Sequence, residues 1–233
     1  FLEMRNFFLS IFLFMCFYLE AQLTPLQHVN PLIGTGEAGH TFPGATLPFG
    51  AVQLSPDTDT IPYAIDGKYQ PEVYRYCAGY QFADSTIVGF SHTHFSGTGH
   101  SDLGDVLLMP NRGVVQWNPG TAAQPQKGYR STYGHDQIAK PGFYSVHLDE
   151  VNIDVELTTT KRVGVHRYRL QDGDPTHFIL DLTHGIYNYE GKNVWCFLRV
   201  EKCILFTFLF VFPSISDRFS GPGADPDAFS DRF

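Results

Sequence analysis

Hydrophobic and polar residues alternate most cleanly in the middle of the chain. Tyr144, Val146 and Leu148 are spaced by two, and Val151, Ile153, Val155 and Leu157 follow with Asn152, Asp154 and Glu156 between them. A period of two is that of a β-strand with one face in a core. Val163 and Val165 begin another strand, whose phase drifts by Tyr168 and Leu170 and predicts a bulge. Phe178, Leu180 and Leu182 make a further one. Asp149-Glu150, Thr158 to Lys161 and Gln171-Asp172-Gly173-Asp174-Pro175 separate these runs with turn residues. No stretch of the body carries an apolar period of about 3.6 residues. Short strands joined by tight turns pair antiparallel. The expected fold is all-β, an antiparallel β-sandwich, continuing through Val194, Phe197 and Val200.

Upstream, glycine and proline break the pattern. Gly34 to Ala45 holds too many breakers for a helix, and no Gly-Lys-Ser/Thr follows that would make it a phosphate loop. Gly50 to Leu54 resumes a short strand, which Ser55-Pro56-Asp57 is expected to end as a turn. Residues 56–76 read as a long loop bearing Tyr63, Tyr69, Tyr74 and Tyr76. Such rings either stack on sugar faces or cover a core, and the residues alone favour neither. Apolar runs at Thr86–Phe90 and Val106–Met109 flank a polar segment, Ser91 to Asp105, with three histidines, two aspartates and three glycines. Strand alternation places His92 and His94 on one side of the sheet. A metal site, a grip on a polar ligand and a structural pair are all open to them.

Composition narrows the classes. A formal net charge of -8 offers no field for a phosphate backbone, so nucleic acid is not expected as a partner. Met4-Arg5-Asn6 precedes an apolar run from Phe7 to Leu19 that closes at Glu20-Ala21-Gln22. One positive charge, a short apolar stretch and a small residue predict a secretory signal over residues 1–21, with Phe1 to Glu3 as upstream read-through. The run is short for a membrane span, so the mature protein is expected to be exported, periplasmic or secreted, and not held in a membrane. Cys16 would leave with the signal, and Cys77, Cys196 and Cys203 do not make a disulfide framework.

Five motifs together resemble a known family. VNPLIGTG (29–36), GHTFPGATLPFGAVQLSPDT (39–58), CAGYQFADSTIVGFSHTHFSGTG (77–99), DLGDVLLMP (102–110) and THGIYNYEGKNVW (183–195) look like the N-terminal domain of glycoside hydrolase family 92. The likeness covers roughly residues 28–200. It implies an exo-α-mannosidase that is calcium-dependent and inverts the anomeric centre, acting on a mannose-containing glycan. It also implies an N-terminal β-sandwich, here residues 22–202, packed on a C-terminal (α/α)6 barrel. Inversion needs two carboxyl groups roughly 6.5–9.5 Å apart. By resemblance these and the calcium ligands belong to the barrel, so no catalytic or metal-binding residue is expected in this chain, and the fragment alone should be inactive. Asp102 and Asp105 lie in a glycine-rich turn and are not the expected acid and base. The substrate-binding residues that the resemblance implies are His40, Phe42, Tyr74, Tyr76, His92 and His94. Many members carry tryptophan near Tyr74-Arg75-Tyr76, a departure that bears on linkage preference.

Residues 203–233 depart from the family pattern. Ser216-Asp217-Arg218-Phe219-Ser220, coded as TCT GAC AGG TTT TCG, reads LTGFR one base out of frame, close to a motif expected after Val200. The tail is therefore expected to be out of frame from about residue 203. Two other functions stay open: a stand-alone carbohydrate-binding module using the tyrosine loop, and a metal-dependent β-fold enzyme using His92, His94 and Asp102.

Overall fold

The computed structural model describes residues 25–100, 103–170 and 176–186, and the backbone of 197–199 and 207–209. The expected signal (1–21) and most of the expected out-of-frame tail (203–233) lie outside the described residues, as do Val194 and Val200. The chain divides into a short unit, residues 1–30, and a main unit, residues 31–233. In the first, Pro25–His28 form one 3₁₀ turn.

The main unit is built of strands. In chain order they are β1 (Ala45–Thr46), β2 (Gln53–Asp57), β3 (Ala64–Ile65), β4 (Lys68–Tyr69), β5 (Thr86–Ile87), β6 (Gly89–Ser91), β7 (Leu107–Arg112), β8 (Ser131–Thr132), β9 (Ile138–Lys140), β10 (Phe143–Leu148), β11 (Ile153–Thr159), β12 (Gly164–Leu170), β13 (Thr176–Asp181), β14 (Phe197–Arg199) and β15 (Thr207–Leu209). One sheet has the order β1-β2-β6-β7-β13 and the other β12-β11-β10-β9, all antiparallel. Their inner faces share one core. Leu54, Phe90, Leu107 and Met109 come from the first sheet, and Tyr144, Val146, Leu148, Ile153, Val155 and Leu157 from the second. This is the expected sandwich.

Two expectations fail for physical reasons. Ser55-Pro56-Asp57 do not end the strand as a turn; they are its second half, paired with Ser91, Phe90 and Gly89. Pro56 is tolerated because β1 stops at Ala45, opposite Leu54, so beyond that point β2 has no donor to supply on that side. The bulge expected in β12 is absent: its register against β11 runs unbroken from Ile153↔Leu170 to Thr159↔Gly164. The phase drift has another cause. β12 is an edge strand whose inward positions are Gly164, His166 and Tyr168, opposite the buried Thr159, Leu157 and Val155. Val165 therefore faces outward, and a histidine stands where an aliphatic residue would have marked the face.

That histidine ties the sheets together. His166 Nε2 lies 3.0 Å from His92 Nε2, in the segment just past β6. His92 Nδ1–H donates to the Val106 carbonyl at 2.6 Å, so its Nε2 is an acceptor. His166 Nε2–H then fills it, and Tyr168 O–H donates to His166 Nδ1 at 2.8 Å. The chain of bonds runs one way only with both rings neutral. Gly164 makes room, since a Cβ there would sit 2.9 Å from His92 Cδ2. Burial holds His92 down to about 4, against the opposing bond to Val106. Burial, and the repulsion a second proton would meet beside His92, push His166 well below the usual imidazole range.

An unfolded histidine takes up a proton below about pH 6.5, whereas native His92 resists it until about pH 4 and His166 resists it too. The stabilisation is whole above 6.5 and is lost across that window as pH falls. Urea unfolding at stepped pH should show the midpoint dropping between 6.5 and 4, with His92 alone contributing on the order of 3 kcal/mol. A flat midpoint would contradict a neutral pair.

Candidate functional site

Histidines and a carboxylate also meet at the end of β2. Asp57 is fully buried there, with Oδ1 2.8 Å from His94 Nε2 and Oδ2 2.8 Å from His184 Nε2. His94 Nδ1–H donates to the Gln53 carbonyl at 2.8 Å. Each ring nitrogen thus faces an acceptor, and His94 and Asp57 form a buried histidine–carboxylate pair. Burial raises the Asp57 carboxyl, but the His94 charge and the bonds from His184 and His94 outweigh it and hold the group far below the usual carboxylate range. Gly79 is needed above this pair. A Cβ there would lie 2.0 Å from Asp57 Oδ1, and its φ is +77°.

Ser91 Oγ lies 3.1 Å from His94 Nε2, which gives the cluster a serine, a histidine and an aspartate. It is not a nucleophile site. A serine hydrolase needs serine and aspartate on opposite ring nitrogens, whereas here both address Nε2, and all three groups are buried. Asp105 is also tied up: Thr93 Oγ1–H donates to its carboxylate at 3.2 Å and accepts its backbone N–H at 2.9 Å. Asp102 lies outside the described residues. No group of three or more His, Cys, Asp or Glu among the described residues is arranged to hold a metal ion. His92 and His94 face separate partners, so the metal-dependent reading built on them has no geometry here.

The surface-facing chemistry lies elsewhere. Pro71–Tyr76 form a 3₁₀ helix opened by proline at its first position. Its three-residue repeat puts Val73 and Tyr76 on one buried face and leaves Tyr74 46% exposed. Tyr76 O–H turns inward to Asp84 at 3.0 Å, and its own deprotonation is strongly disfavoured by burial and the Asp84 charge. Before this helix, β3 and β4 form a hairpin across Asp66-Gly67, both at positive φ, the conformation of a type I′ turn. It brings Tyr63 and Tyr69 edge to face at 5.0 Å.

An open cleft of about 200 Å³ lies between hairpin and helix, lined by Tyr63, Tyr69, Val73, Tyr74, Cys77, Gly99 and His100. His40 stands behind it. Its ring meets the Tyr74 edge at 4.4 Å, and its Nδ1 lies 3.9 Å from where a Cβ on Gly99 would be. His40 is buried at φ +51°, and its Nε2 has no hydrogen-bond partner. Strain and an orphaned polar atom on one residue are features of ligand sites. Gln81 holds the first loop to the helix, donating from Nε2 to the carbonyls of Glu37 (2.9 Å) and Arg75.

Residues 28–203 match the glycosyl hydrolase family 92 N-terminal domain. The chain belongs to that family. A family GH92 alpha-mannosidase from Bacteroides thetaiotaomicron, solved in complex with mannoimidazole, superposes with a TM-score of 0.63 at 38% identity, over 70% of this chain and 20% of that one. The GH92 family glycosyl hydrolase ccman5 superposes with a TM-score of 0.55 at 29% identity, over 69% of this chain and 21% of that one. An uncharacterised secreted glycosidase of Arthroderma benhamiae is 32% identical over 146 residues, 61% of this chain and 17% of its own length. The family 92 domain described here thus spans about a fifth of these relatives.

Of the residues singled out by sequence, the structure brings His40 and Tyr74 together at the cleft. Tyr76, His92 and His94 are buried with protein partners, and the Phe42 ring packs against His94 at 5.1 Å. Sequence reasoning missed Asp57, His184 and His166, whose partners lie 37, 127 and 74 residues away and leave no local signal. It also missed the β3–β4 hairpin, for which Asp66-Gly67 was a readable signal.

Replacing Asp57 by Ala leaves the buried His94 and His184 rings without their shared carboxylate and should cost about 3–5 kcal/mol in chemical denaturation. Gly79→Ala should destabilise too, by displacing the same carboxylate. Wild-type stability in either variant would remove the network from its central place.

Proposed function

We propose that this chain is the N-terminal, substrate-site-completing domain of a calcium-dependent, inverting exo-α-mannosidase acting on terminal α-mannose of glycans. The observation that carries the reading is the likeness to an alpha-mannosidase solved with mannoimidazole, at 38% identity over 70% of this chain. His40 and Tyr74 are the residues assigned to sugar contact. Phe42, Tyr76, His92 and His94 support them from behind. Calcium, both catalytic carboxyl groups and the (α/α)6 barrel are assigned to the part of the family architecture that this domain does not span. The route outside the cell is export, in keeping with the secreted relative.

This reading assigns no acid and base to the domain described here, and expects that domain by itself to bind glycan without cleaving it. The exposed aromatic cleft also suits the second reading, a stand-alone carbohydrate-binding module. Sequencing the gene through and beyond codon 203 separates them. The mannosidase reading expects a barrel in another frame; the protein made from the restored frame should release mannose from α-mannobiosides with inversion, and lose the activity to a calcium chelator. Finding no barrel in any frame would overturn that reading for this chain.

The purified 233-residue chain should release no mannose from α-mannobiosides with or without calcium. Turnover by this chain would place catalytic groups inside it, contrary to the proposal.

A further inference from the structure

The cleft has aromatic walls, and among its described lining residues there is no Asp, Glu, Lys or Arg. Tyr63 and Tyr69 are 41% and 51% exposed and meet edge to face. The hairpin that carries them is fixed at both ends. The Asp66-Gly67 turn closes one end, and Gln70 N–H donates to the Tyr63 carbonyl at 2.9 Å at the other. Tyr74 forms another wall, stiffened by its contact with His40. Gly99 and His100 also line the space, and Val73 and Cys77, both buried, form its apolar base.

We infer that this cleft is a subsite for one pyranose ring of a neutral glycan, with the Tyr63–Tyr69 hairpin as its stacking platform. The inference rests on the glycosidase reading above and extends it to a hairpin that lies between the motifs of residues 39–58 and 77–99. Three observations carry it. The described lining carries no Asp, Glu, Lys or Arg, which favours a neutral ligand over an anion or a cation. A volume of about 200 Å³ is below the roughly 300–1,000 Å³ of drug-sized sites, so the occupant is a single ring and not a chain of them. The mixed character of the walls matches a sugar, whose C–H faces meet aromatic rings while its hydroxyls meet the O–H groups of Tyr69 and Tyr74. The hairpin then acts in specificity: it favours glycans long enough to place a ring in the cleft.

The test is a binding titration of the 233-residue chain with mannose, α-mannobiose, α-mannotriose and cellobiose, read by tyrosine fluorescence and saturation-transfer NMR. Binding is expected for at least one oligosaccharide, with saturation transfer from tyrosine protons. Tyr63→Ala and Tyr69→Ala should each weaken it about 5- to 10-fold, the loss of one aromatic contact. Tyr69→Phe should retain most of the affinity and guards against misfolding as the cause. Phe82→Ala, an exposed aromatic outside the cleft, should bind as wild type. Hairpin variants that bind as tightly as wild type would overturn the inference and leave the mannosidase reading intact. Binding of cellobiose alone, lost in the hairpin variants, would keep the subsite and count against mannose. No binding of any of the four sugars overturns the subsite, whereas the restored-frame assay judges the mannosidase reading by itself.

Discussion

One carboxylate organises the polar interior. Asp57 ends β2 inside the protein, where an ionised group survives only with compensating charge and hydrogen bonds. It receives both. His94 arrives from the segment after β6, and His184 from the segment after β13. Three regions far apart in sequence are therefore fixed to one pair of oxygens. Gly79 is constrained by the same demand, because any side chain there would occupy the carboxylate's space.

The histidine motif divides its labour around that point. His94 serves the first sheet through Asp57 and Gln53, while His92 crosses to β12 and joins the second sheet through His166. Both rings are consumed by the frame. A segment that looks in sequence like a binding motif is thus the brace that sets the loops above it. The loop after it supplies Gly99 and His100 to the cleft, and the Gly97 N–H donates to the His40 carbonyl at 2.6 Å. Bracing below and an exposed aromatic cleft above are two ends of one construction. A glycan site gains precision when its walls cannot relax away from the ligand.

The strand pattern was legible because burial on one face imposes a period of two, and β10 and β11 obey it residue by residue. The all-β class, the antiparallel sandwich and the family followed from that pattern and from motifs that run along the chain. The cleft's Tyr74 and the histidines were visible as residue types. Their roles were not. Tyr74 and Tyr76 are near neighbours, and only the 3₁₀ repeat decides which one meets solvent. Val165 looked like a core residue, and His166 is the one that faces inward, because an edge strand can bury a histidine when the opposite sheet offers it an acceptor.

The sequence by itself determined the local rules: where the chain must extend, where glycine and proline must bend it, and which family's fold it shares. Tertiary structure alone decided which polar residues are buried and which are presented. Partners for Asp57, His92 and His184 come from strands and loops that are distant in the chain, and a hydrogen bond's worth depends on the dielectric and the geometry that packing creates. Periodicity carries information about faces. It carries none about who stands opposite, and that is what separates a brace from a binding site.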